Sequence, residues 1–504
     1  MPIPQAQELF RPNPENVKIQ ARVADILDGF LTETMVSSSL PDSELEKAFA
    51  KFELPEKSTR VVDYFAELAD GYIPQSSHTS SPRSFAHMTS SVPLFMQQLG
   101  ALVIGMNQNL VKQDASRALT CIERQTLAML HRLAFGASDD FYRRHTHAAE
   151  SSLGIVSSGS TLANIIAIWC ARNARLPQAV ETGEWPGRCV VLGSRLMHYS
   201  FAKAADLLGL GKQALIELPV DAACRVDLVA MRDEIARCRE RNWTILAIVG
   251  VAGTTDAGSI DPLPELADIC MAENVHFHVD AAWGGPLLFS TQHRSKLVGI
   301  ERADSITFDG HKQLHLPMGM GMVLFRRPDL AKAIEKDAPY LIRAGSSDLG
   351  RRALEGSRAG SVLYLHAALH IFGRQGYEAL VDEGMALSAD CAAELASAAA
   401  FELLAPPELR VLVYRYIPAQ LRERVGTGSL GEADNQAIDD LNRRLYATQK
   451  ADGQTLVSMT TLPTRYGDRV CLRAVIANPT ATLADFRQVL AHQEELGRSL
   501  ETAP

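Results

Sequence analysis

Between residues 189 and 325 the chain repeats one pattern, a short apolar run followed by a stretch with helical spacing. The runs are Cys189–Leu192, Ala214–Leu218, Ile245–Val251, His276–Val279, Ser305–Phe308 and Met322–Phe325, and Leu263–Asn274 is one of the helical stretches between them. Runs of this length bounded by polar residues read as buried strands. Strands that alternate with helices need crossover connections, and these produce a mainly parallel sheet covered by helices. Residues 1–95 read as helices joined by polar loops. Within them the loop Pro74–Pro82 leads into Arg83-Ser84-Phe85-Ala86-His87-Met88. Beyond residue 360 a second, smaller α+β unit is expected. It holds a helix near Leu363–Leu380, a further helix over Ala386–Ala400, strands at Arg410–Tyr416 and Arg469–Ile476, and a last helix from Leu483. The expected division is 1–95, 96–360 and 361–504.

A chain of 504 residues with 46% hydrophobic and 22% charged residues is long enough for two or three soluble domains. Lys plus Arg number 50 against 59 Asp plus Glu, a net charge of −9, so neither nucleic acid nor an anionic membrane is an expected partner. The eight cysteines form no CxxC pair and most lie in apolar runs. Reduced, buried thiols in a cytoplasmic protein are the expectation. The first residues, MPIPQAQELFRPNPENVK, lack a basic-then-apolar leader pattern, and apolar stretches such as Thr244–Gly253 are too short to span a bilayer.

In open α/β sheets ligands sit beyond the carboxyl ends of the strands. Two neighbouring runs end in polar chemistry: His276–Val279 runs into Asp280-Ala281-Ala282-Trp283, and Ser305–Phe308 into Asp309-Gly310-His311-Lys312. A lysine amine able to form a Schiff base, beside a carboxylate able to hold a pyridinium nitrogen protonated, is what pyridoxal phosphate requires. A carboxylate directly after an apolar strand also predicts a cationic partner, because its burial is costly unless paired. Ser157-Ser158-Gly159-Ser160-Thr161 precedes an apolar helix. It is either an ordinary capped helix start or an anion seat built from free N–H groups and hydroxyls. His198 follows the run Cys189–Leu192, where it is a loop histidine or an aromatic lying over a planar ring. The turn Gly253–Gly258 carries hydroxyls that serve the turn or a ligand.

Taken together these residues resemble the group II pyridoxal-phosphate decarboxylases, which include the glutamate and aromatic amino acid decarboxylases. The motifs are HVDAAWGG at 278–285, DGHK at 309–312, GTTDAGSIDP at 253–262, MHYSFAKAADLLGLG at 197–211 and LRAVIANPTAT at 472–482, and the likeness runs from about Pro82 to about Leu496. Residues 87–112, 154–173 and 340–358 are similar to the bacterial aspartate 1-decarboxylase branch of that family. Two positions depart from the pattern: Ser84 stands where an aromatic is usual before Phe85, and Ser160 where a second glycine is frequent.

The resemblance implies an α/β fold of the aspartate aminotransferase-like type I, pyridoxal 5'-phosphate as cofactor, and a homodimer with its active site at the interface. It implies that Lys312 holds the cofactor, Asp280 faces the pyridine nitrogen and His198 stacks on the ring. Ser158, Gly159, Ser160 and His311 would serve the phosphate, with Ser357 reaching it from the partner subunit, and Thr254 and Ala282 would border the ring. Tyr340, on a mobile loop, would protonate the substrate carbon, and Arg473 would bind the α-carboxylate. His87 would touch substrate. Arg343, Arg83 and Lys112 are candidate cations for a distal acidic group. The expected reaction is decarboxylation of L-aspartate to β-alanine. The alternatives are the same chemistry on glutamate, cysteine sulfinate or 2,4-diaminobutyrate, and an inactive scaffold of the same fold.

Overall fold

Val190, Val191, Ile245, Ile248, Val249 and Val279 are branched aliphatics, which pack well on a pleated surface, and all six are buried at the centre of one sheet. The computed structural model of the protein describes residues 9–10, 15–338 and 345–502. Its strands in chain order are β1 (Ser84–Phe85), β2 (Gly154–Ser157), β3 (Cys189–Ser194), β4 (Leu215–Leu218), β5 (Thr244–Val251), β6 (His276–Asp280), β7 (Ser305–Asp309), β8 (Gly321–Phe325), β9 (Phe401–Leu403), β10 (Val411–Tyr416), β11 (Leu456–Thr464) and β12 (Gly467–Val475).

The large sheet has the order β2-β8-β7-β6-β5-β3-β4. The pairs β4/β3, β3/β5, β5/β6 and β6/β7 are parallel, as the strand–helix alternation predicts. β8 is antiparallel to both β7 and β2. The carboxyl ends of β3, β5, β6 and β7 therefore open on one edge, where Asp280 stands level with Val251 and Thr307. Helix Ser160–Arg175 packs on this sheet through Ile165, Ile166, Ile168 and Ala171.

The second sheet has the order β1-β11-β12-β10-β9. Its first strand corrects the reading of residues 1–95 as helices and loops alone. Ser84 and Phe85 run parallel to Leu456 and Val457. Phe85 is buried in the core of the C-terminal unit, with its ring centroid 5.5 Å from that of Phe486. The segment just after the N-terminal helices is thus locked into the small domain. The helix expected near Leu363–Leu380 is two helices, Val362–Ile371 and Gly373–Ser397, and they meet at Gly373, whose φ of 59° is left-handed. A helix over Glu432–Asp452 completes the small domain.

Among the described residues no helix is long and apolar enough to cross a membrane. All eight cysteines are free thiols, seven of them buried and Cys121 exposed.

Candidate active site

The strand ends collect the residues singled out by the sequence. Asp280 closes β6 and is 5% exposed. Its Oδ1 accepts the Ala282 N–H at 3.1 Å, and its Oδ2 accepts Asn164 Nδ2 at 2.8 Å. Both of these partners are neutral donors, and among the described residues no cationic side chain pairs with Asp280. A carboxylate with its back held by amides keeps lone pairs free toward the edge of the sheet, where a ligand's protonated nitrogen can pair with it.

His198 follows β3, and its Nδ1 accepts the Ser200 N–H at 3.2 Å, which fixes the plane of the ring. Burial holds this imidazole below its usual range. The charges of Asp280 and Asp309 oppose that shift, and those of Lys312 and Lys203 reinforce it. His198 thus stands within electrostatic reach of both the carboxylate and the lysine of the two strand-end motifs.

The loop after β7 meets the start of helix Ser160–Arg175. Ser160 Oγ donates to Asp309 Oδ2 at 2.5 Å, and the Ser160 N–H points at the same oxygen at 3.4 Å. Asp309 Oδ1 accepts the His311 N–H at 3.1 Å and lies 3.0 Å from His311 Nδ1. Burial lowers the His311 imidazole, and Asp309 partly opposes this. The first bond within the helix runs from Ala163 N–H to Gly159 O at 3.2 Å, so the Thr161 and Leu162 N–H groups ahead of it are open to an anion, while that of Ser160 is turned to Asp309. Ser158 is exposed beside them. Gly321, at the start of β8, closes this seat from below, because a Cβ there would stand 2.3 Å from Gly159 C and 2.5 Å from Ser160 N. Gly321→Ala is therefore expected to displace the helix start and weaken phosphate binding by about 1.4 kcal/mol, tenfold in Kd. Titration of the cofactor into the apo variant checks this.

Arg473 lies on β12, 7% exposed and tied to three elements. Its Nε donates to Thr255 O at 2.7 Å, and its Nη1 donates to Ser458 Oγ at 2.8 Å and to Ala86 O at 3.2 Å. Its Nη2 is buried without a partner among the described residues. Burial lowers this guanidinium to about 10, with Asp256 opposing. A buried, braced guanidinium with one donor unpaired is suited to gripping a carboxylate. His87 is exposed, close enough to Arg473 for the guanidinium to add to the lowering by burial, and lines a cavity of about 640 Å³ with Ser458 and Lys450.

The other expected residues divide. Thr254 is fully buried, and its hydroxyl is taken up by Ser259 Oγ at 2.8 Å, so it holds the turn whose next residue supplies the carbonyl for Arg473. Ala282 is buried beside Asp280. Ser357 is exposed and receives Asn109 Nδ2 at 3.0 Å. Arg83 donates to Thr34 O, and Lys112 pairs with Asp114 at 3.2 Å, so both cations already have partners. Tyr340 and Arg343 lie outside the described residues. Sequence reasoning missed Asn164. A polar residue on the apolar face of LANIIAIW, four residues after Ser160, was the available signal.

A carboxylate for a ring nitrogen at the end of β6, a lysine after the neighbouring β7, an imidazole after β3 on the other side of β5, and a helix start for a phosphate suit pyridoxal phosphate in residue type and in their place along one sheet edge. The comparisons agree. The model of the pyridoxal-dependent decarboxylase conserved domain matches residues 44–417. The chain is 41% identical over 508 residues to an aspartate 1-decarboxylase of Aliivibrio fischeri, covering 96% of this chain and 92% of that protein. It is 31% identical over 455 residues to an L-2,4-diaminobutyrate decarboxylase of Rhizobium meliloti, covering 89% and 84% respectively. In fold it is similar to the crystal structure of mouse CSAD, with a TM-score of 0.84 at 24% identity over 95% of this chain and 99% of that one. With the family model matching residues 44–417 and a 41% identical relative covering 96% of it, the chain belongs to the pyridoxal-dependent amino acid decarboxylases.

Proposed function

We propose that the protein removes the α-carboxyl group of L-aspartate, giving β-alanine and CO2, and works as a cytoplasmic homodimer. The observation that carries the substrate is the 41% identity to an aspartate 1-decarboxylase over 96% of the chain. The chemistry rests on the residues at the sheet edge. Pyridoxal phosphate, when bound, supplies the electron sink for the pair left on Cα after CO2 departs. Lys312 tethers it and Asp280 holds a proton on its ring nitrogen. His198 would stack on the ring, and Ser158, Gly159, Ser160 and His311 would hold the phosphate. Arg473 would grip the substrate α-carboxylate and so orient the bond that breaks. Tyr340 would return a proton to Cα, and Arg343 and His87 are the residues proposed to bind the rest of the substrate.

The dimer is supported by apolar surface on two adjacent helices. Leu94, Leu102, Ile104 and Met106 at helix Phe95–Met106, with Ile371 ending helix Val362–Ile371, are exposed. Several exposed apolar side chains on two helices that pack together are the kind of surface that takes part in interactions. Ser357 would reach the phosphate held by the partner subunit.

A second reading, 2,4-diaminobutyrate as substrate, is favoured by the 31% identity to the Rhizobium meliloti enzyme. The two differ in the charge of the distal group, and a buried site for one leaves the other unpaired, a difference of several orders of magnitude in rate. Comparing kcat/KM for aspartate, glutamate, cysteine sulfinate and 2,4-diaminobutyrate on one enzyme batch tests the proposal. Aspartate is expected to lead by at least about 10²-fold over diaminobutyrate. A lead for diaminobutyrate would replace the substrate and leave the decarboxylase chemistry standing.

A further inference from the structure

Asp280 is the end of a row of hydrogen bonds that crosses the sheet beneath it. Asn164 Nδ2 donates to Asp280 Oδ2 at 2.8 Å and to Ser200 Oγ at 2.9 Å. Asn164 Oδ1 lies 3.1 Å from His278 Nε2. His278 Nδ1 lies 2.8 Å from Ser305 Oγ, and Ser305 Oγ lies 2.8 Å from His276 Nε2. Asn164, His278, Ser200 and Ser305 are each 0% exposed, and they come from two helices and two strands that only the folded sheet brings together.

The direction of the row follows from chemistry. An acceptor carboxylate requires the NH2 face of Asn164, which leaves the amide oxygen for His278, so His278 Nε2 carries the hydrogen. Burial lowers His278 to about 3 and His276 to about 4, so both rings are neutral at physiological pH. His278 Nδ1 is then bare and accepts the Ser305 hydroxyl, and Ser305 Oγ accepts the hydrogen of His276 Nε2. Every hydrogen in the row points toward Asp280. The amide of Asn164 cannot pass a proton on, so the row orients and does not conduct. Hydrogen bonds aligned head to tail in a low-dielectric interior polarise one another, and donors to a carboxylate favour its charged form.

We propose that Asn164 and His278 are positioning residues for cofactor chemistry, holding Asp280 in one rotamer with its free lone pairs turned to the ring nitrogen. This inference rests on the reading of Asp280 as the partner of that nitrogen. Outer hydrogen-bond partners of this kind change affinity or rate about 10- to 100-fold at metal sites, where they have been studied.

The test is a double-mutant cycle read on cofactor binding. Pyridoxal phosphate is titrated into apoenzyme and followed by tryptophan fluorescence, with Trp283 three residues from Asp280 as reporter. The apo melting temperature controls for folding. Asn164→Ala is expected to raise Kd about tenfold and to lower kcat by a similar factor, with KM for the amino acid unchanged within about twofold. In an Asp280→Asn background the same change is expected to move Kd less than about twofold, because its target is gone. His278→Leu is expected to follow Asn164→Ala, and His278→Gln to restore most of the loss by placing an amide N–H where Nε2 stood. Should Asn164→Ala not yield folded protein, Ser305→Ala deletes one hydroxyl two links away and is expected to raise Kd about threefold. Unchanged Kd and kcat in a folded variant, or equal effects in both backgrounds, overturns the inference. If Asp280→Asn itself leaves Kd and kcat unchanged, the reading of Asp280 falls instead.

Discussion

Lys312→Ala is expected to abolish turnover and to remove the visible absorbance that the holoenzyme owes to its lysine-bound cofactor. The lysine follows β7 by three residues, on the loop that also carries His311 to the phosphate seat. The other amine within electrostatic reach of His198 is Lys203. It is exposed, with its Nζ 4.7 Å from the centroid of the Tyr199 ring. A nucleophile removed outright costs about 10⁴-fold or more in kcat. The purified variant should bind cofactor weakly and release it on dialysis. A yellow variant that survives dialysis would move the tether to another amine, with Lys203 the first to examine by borohydride reduction and peptide mapping.

Asp280→Asn is expected to keep the fold and some cofactor, and to lose kcat by about 10²–10⁴-fold, or about 3–5 kcal/mol in the barrier. The substitution preserves shape and keeps an acceptor oxygen for the Ala282 N–H or for Asn164. It removes the charge that pairs with a protonated ring nitrogen. KM for the amino acid should change little, because Arg473, the residue proposed to grip the α-carboxylate, lies on a different strand in a different sheet. Steady-state kinetics with saturating cofactor make this measurement. A variant with near-normal kcat would show that Asp280 is a structural strand-end carboxylate.

The active edge was legible because the strands that build it are local, strongly apolar and sharply ended. Ile245–Val251 and Ser305–Phe308 declare themselves in a window of a few residues, and their polar terminations name the edge where ligands bind. The antiparallel setting of β8 was not legible, since Met322–Phe325 is as apolar as a parallel strand and direction leaves no mark on a buried run. β1 is two residues long with its partner more than 370 residues away, and no local window reports such a pairing. β11 buries only Val457 and Leu462, five residues apart, includes Pro463 and carries three Thr and a Ser, so it reads as a polar loop until β12 pairs with it. The support of Asp280 was hidden for the same reason. Asn164, His278 and Ser305 lie on three separate elements, and although His278 and Asn164 stood inside recognised segments, no window of sequence reports that they meet. Arg473 was found through its motif, while its three anchors, Thr255, Ser458 and Ala86, belong to segments far apart in the chain.

The central claim is that this enzyme removes the carboxyl group on Cα of aspartate, held by Arg473, and leaves the distal one in the product. Turnover of L-aspartate labelled with ¹³C at C1 alone tests it in a single tube. The account predicts that the label leaves entirely as ¹³CO2 and that the amine product is unlabelled β-alanine. Labelled alanine, formed by loss of the distal carboxyl group, or the absence of any labelled CO2 from an enzyme carrying its full complement of cofactor, would contradict it.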